Sequence, residues 1–134
     1  DIETCACPEL PDNAMMYVWQ WAFYYPDKPE DYTVVIGRTW QEFIFFCVKL
    51  NKRLPKNTMI VVFDHNLSYE FQFLAGIYDF KPDDVFCIDN RKILYCNMYD
   101  RFQFRCSMLH ANAGLRTYLK DYHAEHQKLE MDYN

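Results

Sequence analysis

Two stretches of this sequence place acids where acids do chemistry. The chain begins Asp-Ile-Glu-Thr, so one residue separates Asp1 from Glu3. On a strand, residues i and i+2 face the same side. The two carboxylates then stand close together, and like charges that near repel unless something positive lies between them. An oxygen-rich pair of this kind suits Mg²⁺ or Mn²⁺. Taken alone, such a pair reads more readily as a solvated strand end.

The second stretch is Phe-Asp-His-Asn-Leu-Ser-Tyr-Glu-Phe-Gln-Phe, residues 63–73. Glu70 falls in the first turn of an expected helix. Phe73, Leu74 and Ile77 follow at i+3, i+4 and i+7, so Glu70 shares their stripe. An acid on a buried apolar face is costly unless it is paired, hydrogen-bonded or bound to metal. The plain alternative is an acid placed near a helix start for the dipole. His65 and Asn66 lie just upstream, where an apolar strand ends. The C-terminal ends of strands are the usual ligand positions in open α/β sheets.

These residues need a frame, and the hydrophobic pattern supplies one. Residues 1–4 read as the end of a strand. The aromatic run 14–25 reads as a second strand, residues 26–31 with their two prolines as a turn, and 32–37 as the returning strand of a hairpin. Thr39 with Glu42 forms a capping box for a helix that runs to about Leu54, where Pro55 stops it. The apolar run 58–64 has the look of a strand buried on both faces. Ser68 is placed to cap the next helix. Three short strands are expected around 84–89, 92–99 and 101–108, then a helix over 112–123 and a polar tail. Strands with helices between them indicate an α/β layered domain, and 134 residues are enough for one such domain with a core.

Composition narrows the function. Eleven Tyr, eleven Phe and three Trp exclude a disordered chain. No apolar run is long enough for a membrane helix, so no membrane partner is expected. The six cysteines show no metal-ligand spacing, and Cys47, Cys87, Cys96 and Cys106 lie in apolar segments as small hydrophobes. That points to a reducing, cytoplasmic setting. A net charge of −5 argues against a general nucleic-acid binder, although carboxylates that bind divalent metal are neutralised by it. The basic stretch 49–56 reads as a helix C-terminus.

In order and spacing, the set Asp-Ile-Glu-Thr, His-Asn-Leu-Ser-Tyr-Glu, Phe-Arg-Cys-Ser-Met-Leu and Lys-Leu-Glu-Met resembles the 3′–5′ exonuclease domain of family-B DNA polymerases. The likeness is to the protein-primed branch found in phages and linear plasmids. It implies a ribonuclease-H-like α/β fold, a mixed sheet flanked by helices, and a site with two Mg²⁺ or Mn²⁺ ions. Asp1, Glu3 and Glu70 match metal-binding acids. Thr4 matches a contact to the 3′-terminal nucleotide. Asn66 and Tyr69 match single-stranded DNA ligands, with His65 preceding them as in relatives. Ser107 and Met108 match a pair that holds the single strand. Lys128, with Met131 three residues on, matches a lysine that assists hydrolysis, and Tyr133 a further DNA contact. The implied partners are a single-stranded DNA 3′ end, the polymerase domain of the same parent chain and a terminal priming protein. A viral source would place the enzyme in the host cytoplasm.

Two departures qualify the match. Glu70 stands where many relatives carry aspartate. A third motif, Tyr-x-x-x-Asp, is absent, because the sequence reaches Met-Asp-Tyr-Asn before it would arrive. The expectation is therefore one truncated exonuclease-like domain over 1–134, incomplete at both ends and weak as a nuclease by itself. Two other functions fit the same residues: a free-standing nuclease of this fold, and a degenerate ribonuclease-H-like domain that binds single strands without cutting.

Overall fold

A computed structural model describes residues 1–89 and 91–128. The chain divides into two compact units, Asp1–Leu54 and a second beginning at Pro55.

The first unit is an antiparallel sheet with one helix. Strand β1 (Ile2–Cys7) pairs with β2 (Leu10–Tyr25), and β2 pairs with β3 (Lys28–Gly37). The expected hairpin forms, but its turn is tighter than the two prolines suggest: β3 already starts at Lys28 and takes Pro29 into an edge strand, where a missing N–H is tolerated. Glu3 pairs with Val18 and Thr4 with Met16, which leaves Tyr17 as an extra residue in β2. This β-bulge resets the alternation of β2, so that Met16 and Trp19, three apart, are both buried.

Helix α1 (Trp40–Arg53) begins with the expected capping box. The Glu42 amide donates to Thr39 Oγ1 at 3.2 Å, and the Thr39 amide donates to Glu42 Oε2 at 3.0 Å. The helix ends at Leu54, with Lys52 and Arg53 in its last turn. Its buried residues Phe43 and Cys47 join an aromatic core. Trp19 stands edge-on to Phe43 with centroids 5.4 Å apart, and Trp21 edge-on to Phe46, also at 5.4 Å. Trp19 donates from Nε1 to the Thr39 carbonyl at 3.0 Å, which satisfies its one polar group.

The second unit is a four-stranded mixed sheet in the order β4-β7-β6-β5. It comprises β4 (Ile60–Asp64), β5 (Val85–Asp89), β6 (Lys92–Met98) and β7 (Phe102–Cys106). Strands β4 and β7 run parallel and the other pairs antiparallel. A tight turn at Tyr99 and Asp100, both with positive φ, links β6 to β7. The Tyr99 amide is held by the hydroxyl of Tyr78 at 3.0 Å.

Helix α2 (Leu67–Ile77) packs on β4, β6 and β7. Two short helices, α3 (Met108–Ala111) and α4 (Leu115–Asp121), follow β7. The core gathers Leu67 and Leu74 of α2 with Ile93, Cys96, Met98, Phe102, Phe104 and Cys106 of the sheet. This is the α/β class expected, with strands of both directions and helices against them, and it is consistent with a ribonuclease-H-like fold.

Four details depart from the sequence reading. Ser68 does not cap α2; Asn66 precedes the helix, and Ser68 Oγ instead accepts from the Ile93 amide at 3.0 Å. A hydroxyl with a sheet amide in reach satisfies a buried donor more usefully than one more cap. Strand β4 is not buried on both faces, since Val61 and Phe63 are exposed while Val62 and Asp64 are buried. The helix expected over 112–123 forms only as α4, and a short helix that was not expected, α3, precedes it and ends at Asn112 in the left-handed region. Cys87 is exposed, as are Phe86, Ile88 and Asp89 beside it on the edge strand β5, unlike the buried Cys47, Cys96 and Cys106. All six cysteines are free thiols. No helix among the described residues is long and apolar enough to cross a membrane.

Candidate functional site

The sharpest concentration of chemistry lies where β4 passes into α2. Alternation along β4 puts Asp64 in phase with Val62 on the side that α2 covers, and only 4% of Asp64 is exposed. His65 makes the turn. Asn66 then takes φ 106° and ψ 51°, a left-handed conformation that Asn tolerates better than most residues. The Tyr69 amide donates to its carbonyl at 2.8 Å. Asn66 is exposed, and its side chain makes no capping bond to α2.

One turn later Glu70 is 8% exposed, on the same buried face as Leu67 and Leu74. Its Oε2 is fully buried and has no hydrogen-bond partner. Burial pushes the Glu70 carboxyl up to about 7, and the neighbouring Asp64 carboxylate adds to the rise. Burial pushes Asp64 up as well. The second unit thus holds two buried acids, and the charge of Asp64 disfavours the ionisation of Glu70. Asp64 was not singled out in the sequence. Its signal was the period-2 phase with Val62, hidden inside a run that reads as uniformly apolar.

A hydrogen-bonded knot holds this junction in place. The Ser107 amide donates to the Asp64 carbonyl at 2.8 Å, and its hydroxyl lies 3.2 Å from the same oxygen. His65 Nδ1 lies 3.2 Å from Ser107 Oγ, and His65 Nε2 lies 2.9 Å from the Ala113 carbonyl. The His65 ring also lies against Tyr118 of α4, with centroids 5.9 Å apart. His65, Asn66, Tyr69, Glu70, Ser107 and Met108 therefore belong to one neighbourhood built on β4, α2 and the end of β7. His65 and Ser107 spend polar atoms on the fold itself. Tyr69 is half-buried and edge-on to Phe73 at 5.4 Å. Met108, half-buried, opens α3. Lys128 is exposed, and Met131 and Tyr133 lie outside the described residues.

In the first unit, Asp1 sits just ahead of β1. Its carbonyl accepts from the Gln20 amide at 2.9 Å, and its Oδ2 accepts from Gln20 Nε2 at 3.1 Å. Glu3 and Thr4 are half-buried and straddle the register shift opposite Tyr17. Bulges of this kind re-aim side chains and recur beside active sites.

Among the described residues, no group of three or more His, Cys, Asp or Glu side chains forms a ready metal cluster. The donor chemistry of Glu70 nevertheless suits a divalent cation. A buried carboxylate oxygen without a hydrogen bond, beside a second buried acid, is the arrangement that a hard cation relieves.

No family model matches the chain, and no curated protein matches it. Among solved structures, a Phi29 DNA polymerase complexed with single-stranded DNA matches with a TM-score of 0.72 at 13% identity. The match covers 99% of this chain and 24% of that one, so this chain spans about a quarter of the polymerase's length. Over nearly all of its residues, the protein has a fold found within a DNA polymerase.

Proposed function

We propose that the chain is a 3′–5′ exonuclease domain of a protein-primed family-B DNA polymerase, acting on the 3′ end of single-stranded DNA in the cytoplasm. The observation that carries this reading is Glu70: a buried carboxylate with an unpartnered oxygen, at the position to which the motif resemblance assigns a metal-binding acid. The shared polymerase fold supports it. Asp1 and Glu3 are the remaining acids assigned to metal, and Lys128 the lysine that supplies positive charge where negative charge grows.

Bound Mg²⁺ or Mn²⁺ would polarise the scissile phosphate and lower the pKa of a water. The chain's own residues do the rest. Tyr69 offers an aromatic face on which a base stacks whatever its sequence. Exposed Asn66 offers an amide to sugar or phosphate. The Ser107–His65 bonds keep the β4–α2 junction, and with it Asn66 and Glu70, in one geometry.

The test is a 5′-labelled single-stranded oligonucleotide incubated with the 134-residue chain and Mg²⁺ or Mn²⁺. Slow, metal-dependent shortening from the 3′ end is expected, reduced at least a hundredfold in Glu70→Gln. A second reading is a domain that binds single strands without cutting. It draws on the same carboxyl, which burial pushes up to about 7, so that its charged form is disfavoured unless a cation binds. DNA binding with no shortening under any divalent metal would establish that second reading and overturn the first.

A further inference from the structure

Away from α2, the second sheet shows solvent a face on which no residue has yet been given a role. Directly paired residues of neighbouring strands project to the same side, so the ladder builds a row across all its strands. Phe63 of β4 pairs with Arg105 of β7, Arg105 with Tyr95 of β6, and Tyr95 with Phe86 of β5. Phe63 is 56% exposed and Phe86 51%. Phe86 and Tyr95 stack with centroids 5.5 Å apart and 17° between their planes. Beside this row runs another, of Val61, Gln103 and Asn97. Gln103 Nε2 donates to Asn97 Oδ1 at 3.1 Å, and Arg105 Nε donates to Gln103 Oε1 at 2.6 Å. That last acceptor is an amide, so the bond positions the guanidinium without neutralising it.

The placing of polarity decides what such a face fits. A protein partner usually covers an apolar centre inside a polar rim. Here the order is reversed. The central strands β7 and β6 carry Arg105, Gln103 and Asn97, while the exposed Phe63, Val61 and Phe86 lie on the edge strands. A protein laid over this face would strip water from a cation and two amides at its middle, which is costly. Although the chain carries a net charge of −5, neither row holds an acid. Aromatic rings on both sides of a guanidinium, on an open sheet, suit a chain of flat bases joined by phosphates. Arg105 lies one strand spacing, about 4.8 Å, from the strand of each flanking ring.

We propose that this outer face of the β4–β7–β6–β5 sheet binds single-stranded nucleic acid, with Phe63 and the Tyr95–Phe86 stack taking bases and Arg105 a phosphate. The Gln103–Asn97 amides hold Arg105 in place for that contact. Glu70 lies on the other side, which α2 covers, so this surface and the nuclease reading fail separately.

The test is fluorescence anisotropy of a labelled oligo-dT with the full chain in EDTA, which removes metal-dependent cleavage. Phe86→Ala and Arg105→Gln should each bind about fivefold or more weakly than the parent. Arg105→Gln should also lower the slope of log affinity against log salt by about 0.7, the share of one phosphate. No binding by the parent, equal affinity in parent and variants, or weaker binding of Arg105→Gln with an unaltered slope would overturn the proposal. Loss of self-association in Phe86→Ala with DNA affinity unchanged would overturn it too, and make the face an interface between copies of this chain.

Photo-crosslinking needs no variant to fold. Oligonucleotides carrying 5-iodouracil, irradiated with the unaltered chain, should crosslink to Phe63, Tyr95 or Phe86; crosslinks at none of these rings count against the proposal. DNA shortening with those rings free of crosslinks keeps the nuclease and removes this surface. Crosslinks there without shortening do the reverse.

Discussion

The imidazole of His65 reaches 48 residues along the chain to Ala113, whose carbonyl oxygen lies 2.9 Å from Nε2. A carbonyl can only accept, so Nε2 carries the proton. In the neutral ring Nδ1 is then an acceptor, 3.2 Å from Ser107 Oγ, and competes for that hydroxyl's one proton with the Asp64 carbonyl, also 3.2 Å away. One side chain thus ties the turn before α2 to the end of β7 and to the segment between α3 and α4.

Replacing His65 with Ala should loosen that segment before it loosens the sheet. The Ala113 carbonyl and the Ser107 hydroxyl each lose a partner, a cost of about 1–3 kcal/mol. Native-state hydrogen exchange should show faster exchange at residues 112–121 with little change in β6 and β7. Uniform acceleration across the unit would mean that the histidine supports the whole core.

Stability should fall as pH rises through the range set by Glu70. Its ordinary pKa is 4.5, and burial raises it to about 7 in the fold. Between these values the folded chain holds a proton that the unfolded chain has released, so stability drops as pH climbs from about 4.5 to 7. Asp64, also raised by burial, adds in the same direction from its own value of 3.8. Glu42, lowered by the backbone amides of Arg38 and Thr39, acts oppositely and loses its contribution as pH falls below about 4.5. Urea unfolding at pH 5 and pH 8 without divalent metal should therefore show the protein more stable at pH 5. Glu70→Gln should be more stable than the parent at pH 8 by roughly 1–3 kcal/mol, and Mg²⁺ should recover part of that difference in the parent alone.

Gly37 pairs with Trp19 across the β2–β3 ladder, and a Cβ at position 37 would lie inside contact distance of the indole. The ring cannot step aside, since it is 3% exposed, packed on Phe43 and bonded to Thr39. Gly37→Ala should destabilise the first unit by about 1–3 kcal/mol through overpacking. Tryptophan fluorescence during urea unfolding will report it. A neutral effect would mean that β3 shifts outward at little cost.

Tyr69→Leu keeps apolar bulk against Phe73 and removes the stacking face. Affinity for single-stranded oligonucleotides should fall by about 1–3 kcal/mol with no dependence on base composition. Fluorescence anisotropy with poly-dT and mixed-sequence strands will measure it, and unchanged affinity would place the strand elsewhere.

Much of this arrangement is legible in the sequence where a local rule decides. The Thr39–Glu42 box, the stop at Pro55 and the β2–β3 hairpin depend on a few adjacent residues, and they form as read. The burial of Glu70 followed from its spacing to Leu74. What stayed hidden depends on partners distant in sequence. Ser68 was read as a cap because its competitor, the Ile93 amide, lies 25 residues away. The bulge at Tyr17 leaves no mark in a run of consecutive aromatic and apolar residues, since one extra residue only changes the phase. Asp64 passed unremarked for a similar reason: it is the last residue of the apolar run 58–64, and the face it takes shows only once α2 is seen to cover that side.

Strand β3 stands at the edge of its sheet, and its two halves differ in character. Lys28, Pro29, Glu30 and Asp31 form a charged, proline-bearing stretch that discourages another chain from adding to the ladder. Tyr32, Val34 and Ile36 are exposed and carry no such guard. Self-association at high protein concentration should therefore begin at residues 32–36, and a lysine at Val34 or Ile36 is the economical way to keep concentrated samples in solution.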